Sequence, residues 1–179
     1  MMELIAACFS ASGLWLTAQR CLIGWPISLL ATFLYGWVFF HARLYADTIL
    51  QGVFSLTILY GWALWARDKA RQNALPPQPL ALKKAIIETL GFFILSTLWV
   101  IALRCWSDDP APLLDGGLSG ASLLAQLWTA RRHRISWLLW AGIDVIYTGL
   151  FFSRSLSITA LLYGGYTLLG LYGYWRWKA

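Results

Sequence analysis

Laid over itself with a shift of 112 residues, this chain matches without a gap (residue 35 falls on 147). The stretch LYGWVFFHARLYADTILQGVFSLTILYGWALW at 34–65 lies over IYTGLFFSRSLSITALLYGGYTLLGLYGYWRW at 146–177. Tyr35/Tyr147, Phe39/Phe151, Phe40/Phe152, Leu50/Leu162, Gly52/Gly164, Tyr60/Tyr172, Gly61/Gly173 and Trp65/Trp177 are identical, and Arg20/Arg132, Ile23/Ile135 and Trp25/Trp137 continue the register upstream. Such a match restricts the chain to folds that use one unit twice.

The unit is apolar. Of the 179 residues, 59% are hydrophobic and 12% charged, and the mean hydropathy is +0.61. A water-soluble domain carries about a quarter charged residues, so the solvent for this chain is largely lipid. Runs of about 17–25 apolar residues cross a bilayer as helices. Seven are expected, at about 3–19, 23–41, 44–66, 85–105, 113–131, 136–153 and 156–175. The fifth is the weakest, because Asp115 interrupts its start and glycines dilute it. RDKARQNALPPQPLALKK, with its prolines, reads as a loop over 67–84, and SDDPAPLLDGG breaks the chain before the fifth span. The fold class is therefore an all-α integral membrane protein without a soluble domain. No cleavable leader is read, since MMELIAACFS lacks a basic start.

Each repeat is three helices, over 1–66 and 113–179. Two odd-numbered units fused directly would point opposite ways, and the unmatched fourth span (85–105) restores the direction. The expected architecture is 3+1+3, with parallel repeats about an axis along the membrane normal, as in SWEET-type transporters, where the substrate lies near the midplane. Seven spans place Arg20, Arg67, Lys69, Arg71, Lys83, Lys84, Arg131, Arg132, Arg134, Arg176 and Lys178 on one side, against Arg43, Arg104 and Arg154 on the other. By the positive-inside bias the N-terminus is outside and the C-terminus cytoplasmic.

Polar side chains inside such spans usually face a partner or a cavity. Asp47 and Gln51, four residues apart, share a face of the third helix. Asp144 lies about 12 Å into the sixth helix, with Trp140 and Tyr147 on its face. The repeat sets Asp47 over Thr159, Gln51 over Tyr163 and Asp144 over Thr32, and these pairs are expected to look at each other across the axis. Carboxylates, hydroxyls, an amide and indole faces suit a small polar, aromatic, cationic solute. Plainer readings stand beside this one. Asp47 could cap its helix or pair with Arg43, and Asp144 could bond a neighbouring helix. Glu88 reads as a boundary ion pair with Lys84. Trp62, Trp65, Trp106, Trp175 and Trp177 sit at helix ends, where aromatic belts form. Cys8, Cys21 and Cys105 have no metal or redox spacing. No catalytic set, cofactor motif, ATP-binding motif or nucleic-acid signature is found. A protein that is not an enzyme, partnered by a small solute and the bilayer, is the expectation, with a homo-oligomer left open.

The motifs GWP, YGWVFFHARLYADTILQ, YGWALW, SWLLWAGIDVIYTGLFF and ITALLYGGYTLLGLYGYWRW resemble those of the PnuC family of bacterial vitamin transporters, across essentially the whole chain. The resemblance implies residence in the bacterial inner membrane and uptake of nicotinamide riboside by facilitated diffusion, trapped by cytoplasmic phosphorylation. Thiamine is the alternative cargo within the same fold, and a non-transporting membrane module is the reading outside it. The family's WxxW element matches Trp62 and Trp65, and its aspartate and tyrosine match Asp144 and Tyr147. Ser28 stands where members often carry glycine after the WP pair. With the residues read above, the implied substrate set is Asp47, Gln51, Trp62, Trp65, Trp140, Asp144, Tyr147, Thr159 and Tyr163.

Overall fold

The computed structural model describes residues 2–72, 74–106, 111–153, 155 and 157–178. Arg154 and the Ser107–Pro110 part of the expected break lie outside them. Within these residues seven helices follow one another: α1 (Met2–Ala18), α2 (Gly24–His41), α3 (Tyr45–Gln72), α4 (Leu82–Trp106), α5 (Pro112–Ala130), α6 (Ser136–Ser153) and α7 (Ser157–Arg176). Among the described residues there is no strand, only an isolated bridge between Gln78 and His133. By length and composition α3, α4 and α6 can each cross a membrane, and α1 contains a shorter apolar helix. The bundle turns large apolar side chains outward on every helix, Phe33, Leu56, Phe93, Leu113 and Leu161 among them. That surface matches lipid, not water.

The helices end as the repeat predicts. Arg20 and Arg132 both adopt φ 61°, and Arg43 and Ser155 adopt 61° and 60°; each pair is separated by the same shift as the sequence match. After α1, Arg20 N–H donates to the Thr17 carbonyl and Cys21 N–H to that of Leu16; after α5, Arg132 donates to Thr129 and His133 to Trp128. This is the left-handed helix stop usually made by glycine. Arginine occupies it here at a cost of about 1 kcal/mol.

Packing follows the same offset. Within each triplet the middle helix contacts both others, and the triplets meet where α3 packs on α5 and α1 on α7. Trp25 fills the space beside Gly61, and Trp137 the space beside Gly173; a Cβ at either glycine would overlap the indole. Trp25 and Trp65 meet edge to face at 5.2 Å between ring centroids, and Trp137 and Trp177 at 5.3 Å. All four indoles are buried. They form one core with Ala18, Ile58, Leu75 and Ala130 at one end of the bundle.

The segment expected as loop over 67–84 is partly helical. RDKARQ consists largely of good helix formers, so α3 continues to Gln72 and α4 begins at Leu82. Between them the chain forms a strap across the α5–α6 turn. Gln78 N–H donates 2.9 Å to the Arg132 carbonyl, Arg132 Nε donates 3.0 Å to the Pro76 carbonyl, and Arg132 Nη2 meets Asp68 Oδ2 at 2.9 Å. Burial raises the Asp68 pKa, but hydrogen bonds from Arg132 and Arg67 outweigh it and hold the carboxyl below its ordinary value. Glu88 does form an ion pair, with Arg131 at the end of α5 in place of the expected Lys84, and it accepts 2.7 Å from Trp128 Nε1. That contact fastens α4 to α5.

Candidate functional site

Inside the bundle lies a cavity of about 450 Å³ whose wall is shared by α1, α2, α3, α5, α6 and α7, with α4 outside it. The volume is that of a small-molecule site. Two other hollows, one between α1 and α7 and one between α5 and α6, are open on the outer surface and almost wholly apolar. They are grooves for the surrounding solvent.

The wall obeys the repeat. Ser10 and Ser122, Thr17 and Thr129, Ser28 and Trp140, Thr32 and Asp144, Tyr35 and Tyr147, Gln51 and Tyr163, and Phe54 and Tyr166 all line it, each pair at the common offset. Of the residues expected at a site, Asp47, Gln51, Trp140, Asp144, Tyr147 and Tyr163 are brought together here. Trp62, Trp65 and Thr159 are not. Trp65 is fully buried in the indole core, where its Nε1 donates 2.8 Å to the Ala130 carbonyl, and Trp62 packs against that core. The α7 wall begins one turn deeper than Thr159, at Tyr163. The WxxW spacing recurs at Trp137 and Trp140, and this second copy reaches the cavity, through Trp140.

Three carboxylates grade inward. Asp47 is exposed in the first turn of α3, Asp115 half-buried in the first turn of α5, and Asp144 buried at mid-α6. Asp47 and Asp115 both line the cavity from the first turn of their helices. Among the described residues no lysine, arginine or histidine lines the cavity. Beside Asp144, Tyr147 and Tyr163 lie 4.9 Å apart, Phe151 packs on Tyr163 at 5.1 Å, and Tyr166 meets Tyr163 edge-on at 5.7 Å. Trp140 is steadied by a 3.2 Å hydrogen bond from Nε1 to Thr129 Oγ1. Among the described residues nothing hydrogen-bonds the side chains of Gln51, Gln126 or Asp144, all of which face the cavity. Polar atoms that face a cavity without a protein partner are satisfied by polar contents, and the wall suits such contents.

The α5 wall is the part that the sequence reading misses. Asp115, Ser119, Ser122, Gln126 and Thr129 follow at intervals of four, three, four and three, a stripe along one face of a helix. That spacing is present in the sequence, hidden by an average hydropathy taken around the whole helix.

A polar, acidic, aromatic cavity enclosed by an apolar bundle defines a membrane transport protein. Comparison with known proteins gives the family: the chain belongs to the nicotinamide mononucleotide transporter family, whose profile matches residues 1–179. It is similar to the nicotinamide riboside transporter PnuC of Escherichia coli (strain K12), at 26% identity over 169 residues, 80% of this chain and 71% of that one. The protein of the same name from Haemophilus influenzae is 34% identical over 92 residues, 51% of this chain and 38% of the relative. The crystal structure of the vitamin B3 transporter PnuC superposes with a TM-score of 0.76 at 19% identity, covering 98% of this chain and 80% of that chain. That likeness carries the fold.

Proposed function

We propose that the protein carries nicotinamide riboside across the bacterial inner membrane by facilitated diffusion. The observation that carries this reading is the cavity wall, which presents Asp47, Asp115 and Asp144 and no cationic side chain among the described residues. The riboside is a flat aromatic cation bearing a polyol. Its pyridinium suits the faces of Trp140, Tyr147 and Tyr163 beside Asp144, and its hydroxyls suit the amides of Gln51 and Gln126. The mononucleotide of the family's description adds a phosphate, which would enter a wall that carries three aspartates and, among the described residues, no lysine, arginine or histidine. The riboside is the better fit, as the names of the relatives also indicate.

The seven helices are read as seven spans in a 3+1+3 arrangement, two parallel repeats joined by α4. The N-terminus is outside and the basic end, with α7's C-terminus, in the cytoplasm. Without an ATP-binding motif the flux runs down its gradient, and phosphorylation in the cytoplasm retains the product.

Titration of the detergent-purified protein, followed by tryptophan fluorescence, tests this with nicotinamide riboside, thiamine and nicotinamide mononucleotide in parallel. Saturable quenching by the riboside, with much weaker response to the mononucleotide, is expected. Quenching by thiamine alone moves the cargo to another aromatic cation, and tighter mononucleotide binding overturns the electrostatic argument. In sealed vesicles the riboside should equilibrate without accumulating; accumulation against its gradient would refute facilitated diffusion.

A further inference from the structure

Between the cavity floor and the basic end of the bundle stand four buried tryptophans. Trp25 belongs to both, since it lines the cavity and meets Trp65 in the indole core. From Trp65 the aromatic contacts continue to Trp177 at 5.9 Å and on to Trp137. What binds this core across the two halves is a reciprocal pair of hydrogen bonds. Trp65 of the first half donates to Ala130 of the second at 2.8 Å, and Trp177 of the second donates to Ala18 of the first at 2.9 Å. These are equivalent bonds under the repeat, and each ends on the last residue of the first helix of the opposite half. Trp25 Nε1 and Trp137 Nε1, by contrast, are buried without a partner among the described residues. Outside the core lies the strap, with Leu75 buried in the indole cluster and Arg132 and His133 bonded to Pro76 and Gln78.

We propose that this four-tryptophan plug, latched by the 74–81 strap, is the gate at the basic end of the pathway, closed in this structure. The proposal rests on the transport reading above. Opening parts the halves at two points, Trp65 from Ala130 and Trp177 from Ala18, and a plug held by two directional bonds has discrete closed and open arrangements. The unpartnered indoles make the closed plug less than optimally satisfied, which keeps the open arrangement within reach. The WxxW residue Trp65 thus acts on passage and not on recognition.

The test reads which end of the bundle gives access to the cavity. In a cysteine-free background, Thr32→Cys places a thiol on the cavity wall, and Ala70→Cys, exposed on the basic end of α3, marks that end in a separate variant. A membrane-impermeant thiol reagent is applied from either face of sealed vesicles. The cavity thiol of Thr32→Cys should react from the face opposite that of Ala70→Cys and hardly from the same face. Trp65→Phe with Trp177→Phe keeps an aromatic core but removes both donors. Reaction of the cavity thiol from the basic face should then rise roughly tenfold or more, as expected for two lost hydrogen bonds. Equal reactivity from both faces before the change, or no rise after it in protein that remains folded by size-exclusion and thermal unfolding, overturns the gate. Should the double variant fail to fold, Arg132→Gln, which removes the bond to the strap at Pro76 and the ion pair with Asp68 of α3 but leaves both indole bonds in place, is read in the same way. Riboside protection of the cavity thiol is scored separately, so a wrong cargo and a wrong gate give different results.

Discussion

Trp177 donates its indole N–H to the main-chain carbonyl of Ala18, 159 residues earlier in the chain, at 2.9 Å. With the equivalent bond from Trp65 to Ala130, this contact makes the two halves one body. It also separates residues that shape the cavity from residues that close it, and the predictions divide accordingly.

Asp144 should carry charge recognition. Replacing it with Asn preserves shape and removes the buried carboxylate. Riboside affinity should fall roughly tenfold to hundredfold, the value of a hydrogen bond or close contact to a charged group, while the unfolding temperature is kept or rises. Fluorescence titration and thermal unfolding on the same preparation check both. Unchanged affinity would remove Asp144 from the site.

Gln126 should matter to binding although its repeat partner is Leu14. Gln126→Leu copies that partner and removes an amide that faces the cavity without a protein partner among the described residues. A loss of about 1 kcal/mol of binding, roughly fivefold, is expected in the titration. A neutral result would leave the α5 stripe as a hydrated wall only.

The glycines beside the indoles are demanded by packing. Gly61→Ala and Gly173→Ala each push a methyl into a buried tryptophan and should cost about 1–3 kcal/mol. Gly52→Ala and Gly164→Ala, another repeat pair with open space around the added Cβ, should be neutral or stabilising by up to about 1 kcal/mol. Thermal unfolding of the four variants compares them directly.

Acid should lower the stability of the fold through His133. Burial pushes the His133 imidazole below its ordinary pKa of 6.5; the Gln78 carbonyl and Glu88 oppose this only in part, and Lys84 and Arg131 add to it. Above that pH the ring is neutral in folded and unfolded protein alike and stability is complete. As pH falls through about 6.5 the unfolded chain takes the proton first, so stability declines until the folded ring is also protonated. Unfolding temperature should drop between about pH 7.5 and about pH 5.5, and less so in His133→Gln. An equal drop in both proteins would place the sensitivity elsewhere.

Most of the helix boundaries are legible in the sequence because apolar runs and turn residues agree about them. Read as an average, α5 looks weakest, since glycine, serine and Asp115 lower hydropathy; read at helical spacing, the same residues are a wall. Trp65 is harder. A tryptophan at a helix end is compatible with an interfacial belt, a pocket or a core, and the choice depends on the partner helix that Ala130 supplies. Glu88 is an ion-pair residue by its position alone, but its partner comes from the end of α5, which no local spacing could name. Thr159 shows the limit of symmetry. The repeat transfers positions that lie deep in the bundle, such as Gln51 and Tyr163, and fails at the outer end, where Asp47 reaches the cavity and its counterpart does not.

The crossed tryptophan bonds make the joint between the halves reciprocal. The first half owns one donor, Trp65, and one acceptor, Ala18, so a free-standing copy of residues 1–72 carries both sides of the joint. Each half therefore holds the other by its own donor, and no single substitution removes both bonds.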